Sequence, residues 1–153
     1  MSKQIFKKSE KDAINSFGNY PELSECAKFC LEKSRTEKDH STNWILSYTM
    51  LSALSIEMCI KRLLFENGTS FDFSHDLSYL FNLLPEEIKK TVREKYHVRN
   101  KEINIFDIDN FDDLLKETGK HFVELRYITK KVSGKMLQPD FFQILMDIFL
   151  EIM

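Results

Sequence analysis

The chain has 153 residues, of which 42% are hydrophobic and 30% are charged, as expected for a folded protein with one core. Its 22 basic and 24 acidic residues give a net charge of −2, which excludes a globally basic nucleic-acid-binding surface and leaves only a local basic patch for such contacts. Four glycines and three prolines are few, which favours long helices over strands and turns.

The N-terminal part predicts a polar lead-in followed by a first helix. Residues 1–15 are the lead-in, and a single domain is predicted for residues 16–153. Pro21 suits the first turn of a helix, where its missing N–H costs nothing. The polar run at residues 32–40 either ends this helix or follows it as a loop.

The central segment predicts a long helix that is apolar around most of its circumference. Ser41 or Thr42 is expected to cap its start, and the helix should run to Phe65 and end at Asn67-Gly68. A helix of this kind belongs in the middle of a bundle.

The C-terminal half predicts further helices. Ser74 is a plausible N-cap, with His75 and Asp76 in the first turn. Pro85 opens the next helix. The remaining elements are expected to be a loop at residues 100–110, a helix at 111–131, and a final amphipathic helix at 141–152 that Pro139 introduces.

The predicted location is cytoplasmic, with no membrane association. The first fifteen residues lack an apolar signal region, and the uncharged run at 41–56 is too short to span a bilayer. Cys26, Cys30 and Cys59 are interpreted as reduced structural thiols, because a metal site would need more ligands at suitable spacing. No metal and no cofactor are predicted.

Glu57 is the most informative polar residue of the central helix. It lies one turn before Lys61 and could form a local surface pair, but its apolar neighbours indicate burial. A buried carboxylate requires a cation, and Arg126 is the preferred candidate because its planar guanidinium suits a carboxylate between helices. The alternatives are a structural ion pair and a functional pocket.

His75 and Asp76 form the second polar feature. Asp76 in the first turn of a helix gains from the helix dipole, which explains it structurally. A cation at that place is disfavoured, so His75 is expected to turn inward and hydrogen-bond a neighbour such as Glu57. A structural histidine and a catalytic one both remain open.

Three motifs in this order resemble the HEPN superfamily. They are Ala53-x3-Glu57-x3-Lys61, His75-Asp76-Leu77-x2-Leu80-Phe81, and Arg126-Tyr127 on a late helix. The resemblance covers over half of the chain. It implies an all-α, antiparallel helical bundle of four or five main helices, commonly a homodimer, in which the three motifs supply a binding or structural polar cluster.

The resemblance also implies a setting. HEPN domains act in prokaryotic toxin–antitoxin and antiviral defence systems, as ribonuclease toxins, as partners of nucleotidyltransferase-type antitoxins, or as noncatalytic modules that bind RNA or nucleotide. We therefore expect a homodimer whose further partner is such an antitoxin, another defence protein, or RNA.

Catalytic members of the superfamily carry Arg-x4–6-His late in the bundle, where two copies across the dimer form a metal-independent ribonuclease site. No histidine follows Arg126. Arg35 and His40 have the spacing but precede the central helix, and Arg93 and His97 have one intervening residue too few. Whether the chain is an enzyme stays open: the leading hypothesis is a noncatalytic binding module, and the alternative is a ribonuclease that uses one of these pairs.

Overall fold

The computed structural model describes residues 18–72, 74–103, 110–126 and 139–153, with the side chains of 120–126 left out. Within these ranges there are six α-helices and no strand, so the predicted all-α bundle is confirmed. Five helices are long and α3 is short. The helices are α1 (Tyr20–Thr36), α2 (Ser41–Glu66), α3 (Leu77–Asn82), α4 (Glu86–Ile103), α5 (Phe111–Arg126) and α6 (Pro139–Ile152), with a 3-10 turn at Lys38–His40 between α1 and α2.

Helices α1 and α2 form a close antiparallel pair. The buried residues of α1 are Ser24, Ala27 and Cys30, whose small side chains let the two backbones approach. Near the start of α1, the Ser55 hydroxyl of α2 donates a hydrogen bond to the Tyr20 carbonyl at 2.9 Å. The polar run after α1 therefore serves both as its last turn and as the connection.

Helix α2 is the centre of the bundle and contacts α1, α3, α5 and α6. An aromatic cluster joins α3, α4, α5 and α6, with the Phe111 ring of α5 at its centre. The Phe111 ring centroid lies 5.0 Å from that of Tyr96 on α4, 5.4 Å from Phe81 on α3 and 6.0 Å from Phe141 on α6. Aromatic pairs at these separations stabilise the core beyond the area that they bury.

Two predicted helix ends are correct. Helix α2 ends with Asn67 as its C-cap, and the Asn67 side-chain amide donates to the Leu63 carbonyl at 2.8 Å. Gly68 follows at φ 65°, the left-handed conformation that glycine adopts without strain. Pro139 opens α6 as expected.

Three predicted boundaries are wrong. His40 occupies the N-cap of α2 without a side-chain hydrogen bond, so neither Ser41 nor Thr42 caps it. Asp76, not Ser74, caps α3. Helix α4 continues through Ile103 into the predicted loop, because burial of its last turns extends to Asn100. Residues 1–15 and the end of the helix predicted at 111–131 lie outside the described residues.

Candidate polar cluster and candidate Arg–His pairs

Glu57 is fully buried in the middle of α2 and forms an ion pair with Lys61 one turn later. Lys61 Nζ lies 2.6 Å from Glu57 Oε1, and the Lys61 residue is 6% exposed. Water screens a pair at this depth very little. Each charge therefore depends on the other, since an unpaired charge here would be costly.

His75 brings a second element to the same carboxylate oxygen. Its Nδ1 lies 2.9 Å from Glu57 Oε1, the contact that the sequence suggested. Because a carboxylate only accepts hydrogen bonds, this geometry places a proton on Nδ1. The His75 side chain is 37% exposed, so the Glu57, Lys61 and His75 cluster reaches from the core to the surface. The contact fastens the segment before α3 to the central helix.

Asp76, the next residue, is the N-cap of α3. Its Oδ1 accepts from the backbone N–H of Ser78 at 2.9 Å and of Tyr79 at 3.1 Å, and its own N–H donates to the Ser74 hydroxyl at 3.1 Å. These bonds satisfy the first free N–H groups of the helix. With Leu77 fully buried, the His75-Asp76-Leu77 tripeptide therefore provides a tether, a cap and a core residue in succession.

The last two residues of the predicted polar cluster cannot be placed. Arg126 is the final residue of α5, but its side chain lies outside the described part of the chain, as does all of Tyr127. The pairing of Glu57 with Arg126 therefore stays a prediction.

Arg93, the arginine of one Arg–His pair, is held by three neighbours. Its guanidinium donates to Asp112 Oδ1 at 2.9 Å and lies 5.3 Å from the centroid of the Phe81 ring and 6.0 Å from that of Phe111. These ionic and cation–π contacts join α4 to α3 and α5. His97 lies one turn further along α4 and is half-buried. The Arg93 side chain thus contributes to the packing of the bundle.

Most basic side chains near Arg93 also have carboxylate partners. Two of them converge on Glu151 of α6: Lys95 Nζ lies 3.0 Å from Glu151 Oε2, and Arg99 contacts its other oxygen. Lys89 Nζ is paired with Glu86 at 2.5 Å. This pairing lowers the positive potential that the basic residues of α4 present to an approaching phosphate.

Arg35 and His40, the other Arg–His pair, lie at the corner between α1 and α2. Both are exposed, and Glu37 lies between them in sequence. Glu37 accepts hydrogen bonds from Lys33 Nζ at 2.8 Å and from Trp44 Nε1 at 2.9 Å. These two hydrogen bonds hold the pKa of the Glu37 carboxyl below its usual value.

Two contacts at these sites were missed by the sequence reasoning. Nothing in the sequence indicates that Asp112 pairs with Arg93. Asp112 lies in the first turn of a helix, where acidic residues are common for their interaction with the helix dipole. Glu37 accepts a hydrogen bond from Trp44, which is seven residues away in sequence. The sequence did not decide whether the residues between them form a helix end or a loop, so this contact could not be predicted.

The described residues contain no group of three or more His, Cys, Asp or Glu side chains placed to hold a metal ion. The helices in that part of the chain include none with the length and apolar character needed to cross a membrane.

The fold and the site together define the class of protein. It is an all-α helical module whose central helix carries a buried carboxylate, and a histidine from the following segment contacts that carboxylate. A family model described as HEPN domain matches residues 20–143. The chain therefore belongs to the HEPN family, as its motifs suggested. Comparison with curated proteins gives no match, and comparison with solved structures gives none either.

Proposed function

We propose that the chain is a noncatalytic, cytoplasmic HEPN module of a prokaryotic defence or toxin–antitoxin system. It works as a homodimer that binds a partner protein, such as a nucleotidyltransferase-type antitoxin. The Glu57, Lys61 and His75 cluster acts in this proposal as an internal brace that keeps the bundle in one register. The proposal rests on family membership together with the engagement of Arg93, one of the two candidate catalytic arginines.

The observation that carries the proposal is the engagement of Arg93. A metal-independent ribonuclease needs a cation that is free to bind the phosphate beside a general base. The Arg93 guanidinium already donates to Asp112 at 2.9 Å and stacks over Phe81. Moving it to a phosphate would cost both contacts, so Arg93 with His97 is a poor ribonuclease site.

Charge pairing favours a protein partner over RNA or nucleotide. RNA binding draws most of its affinity from unpaired Lys and Arg side chains that neutralise phosphates. Four basic residues of α4, namely Lys89, Arg93, Lys95 and Arg99, instead have carboxylates within hydrogen-bonding range. A surface with both signs interspersed fits the polar rim of a protein interface.

Co-expression with the protein encoded by the adjacent gene tests the binding role. We expect the two proteins to copurify in a fixed ratio from a size-exclusion column at physiological salt. Expression of the chain alone should affect growth equally in the wild type, in His40→Ala, in His97→Ala and in the control Lys90→Ala, whose side chain is 77% exposed. Toxicity lost only in a histidine variant would establish the ribonuclease alternative instead.

A further inference from the structure

The outward surface of α1 belongs neither to the buried core nor to the polar cluster. Its exposed and partly exposed side chains follow one side of the helix over about three turns, and we call this set the α1 outer face. It consists of Glu22, Glu25, Cys26, Phe29 and Lys33, with Lys28, Glu32 and Arg35 at its flank.

Phe29 is the apolar centre of this face. It is 53% exposed, whereas five of the seven other phenylalanines whose burial the structure describes are buried. The Phe29 ring makes an edge-on contact with the Trp44 ring, with 6.2 Å between the two centroids. The Lys33 ammonium lies 5.7 Å from the centroid of the Phe29 ring. A fixed, exposed aromatic ring loses little conformational entropy when a partner covers it.

Charges on either side of Phe29 differ modestly in sign. Glu22, Glu25 and Lys28 precede Phe29 and give a net charge of −1, and Glu32, Lys33 and Arg35 follow it and give +1. Within the chain, Glu25 pairs with Lys28 at 3.5 Å and Lys33 with Glu37 at 2.8 Å, and exposed pairs of this kind contribute little and can exchange with charges of a second copy. An identical helix laid antiparallel across Phe29 would bring the acidic half of each copy onto the basic half of the other. A parallel arrangement would superpose like charges, which is unfavourable.

An open groove continues the same surface beside the acidic half. It has a volume of about 570 Å³ and gives a second copy a recess into which long basic side chains can extend. The residues that line it are Pro21, Glu22, Ser24, Glu25 and Cys26 of α1 and Leu150 of α6.

We propose that the α1 outer face is where two copies of this chain associate, with their α1 helices antiparallel about a two-fold axis beside Phe29. The inference rests on the homodimer of the proposed function and names its interface. A single pair of helices buries an area at the low end for stable complexes, so the dimer should dissociate in the micromolar range.

This arrangement has a consequence for catalysis. Arg35 lies six residues from Phe29, so the two copies of Arg35 are separated by about 18 Å along the helix axis at about 1.5 Å per residue. Two Arg35–His40 pairs at that separation cannot form one composite site around a single phosphate. The dimer that we propose is therefore a binding dimer.

Charge exchange across the interface provides the first test, measured by sedimentation velocity over a range of concentrations. The variant E22K/E25K makes both halves of the face basic, and K33E/R35E makes both acidic, so each alone should be monomeric. Mixed together, the two variants should form heterodimers. Far-UV circular dichroism checks that each variant is folded.

Two substitutions of matched exposure provide the second measurement. Phe29→Asp should weaken dimerisation at least tenfold, whereas Val98→Asp, at a side chain 56% exposed on α4, should leave it unchanged. Phe29→Cys should form an intermolecular disulfide when oxidised with copper phenanthroline, and Val98→Cys should not. The native Cys26 should also fail to link, because its two copies are about 9 Å apart along the axis, beyond the reach of a disulfide.

The outcomes separate the two proposals. A dimer that is unaffected by the α1 variants, or that links through Val98→Cys, overturns this interface and leaves the homodimer of the proposed function in place. A wild-type chain that stays monomeric up to millimolar concentration overturns both. Strong cross-linking through the native Cys26 would require another register and contradict the axis at Phe29.

Discussion

Replacing Glu57 with Gln keeps the shape of the side chain but removes the charge that Lys61 and His75 share. Lys61 is 6% exposed and its Nζ lies 2.6 Å from the carboxylate, so the substitution leaves a buried ammonium without its counter-ion. Removing one partner of a buried ion pair costs about 3–5 kcal/mol of the free energy of unfolding. For a domain of this size that lowers Tm by about 10 °C.

The matched control lies on the same helix. Arg62 and Glu66 form an i,i+4 pair at 2.8 Å, but the Glu66 side chain is 44% exposed. Glu66→Gln should therefore cost only about 0.2–1 kcal/mol. Urea unfolding followed by circular dichroism measures both variants. A Glu57→Gln cost within about 1 kcal/mol of the control would refute the role of Glu57 as a buried brace.

Further predictions concern two tyrosines and the corner at Trp44. The Tyr96 hydroxyl is buried without a hydrogen-bond partner among the described residues, so Tyr96→Phe should be neutral or stabilising by up to about 1 kcal/mol in urea unfolding. Tyr48→Phe should destabilise by about 1 kcal/mol, because its hydroxyl donates to a backbone carbonyl at 3.0 Å. Trp44 fluorescence should be constant above the usual Glu pKa of about 4.3 and change as the pH falls through the lower pKa of Glu37. Glu37→Gln should remove that transition; a transition at the usual value would contradict the hydrogen bonds at this carboxylate.

Local sequence signals predicted much of the fold because helix ends depend on neighbouring residues. Asn67-Gly68 and Pro139 mark ends that the backbone itself requires. The predicted end of α4 was wrong because the residues around Asn100 are polar and show no helical spacing of apolar side chains. Tertiary packing nevertheless buries Asn100, which is 1% exposed. The cap of α3 was off by two residues because Ser74 and Asp76 are both good capping residues, and only the tether of His75 decides between them.

The polar cluster could be predicted in part for a general reason. A carboxylate on an apolar helix must find a partner, and few residue types can serve. The sequence therefore indicated Arg126 as the preferred partner of Glu57 and a hydrogen bond from His75 as a further contact, of which the structure shows the one with His75. The engagement of Arg93 did not follow, because Asp112 is nineteen residues away and reaches it only after α4 and α5 pack. Surface ion pairs of this kind depend on tertiary geometry and leave no local pattern.

Incubation of purified wild-type chain with a labelled RNA in the presence of EDTA tests the central claim most directly. The claim is that the polar side chains of this HEPN bundle are used for contacts within the bundle, and that the protein works without cleaving RNA. The account predicts RNA that stays intact over hours at micromolar protein, as it does with the His40→Ala and His97→Ala variants. Cleavage by the wild type that either histidine variant abolishes, while both variants stay folded, would contradict it.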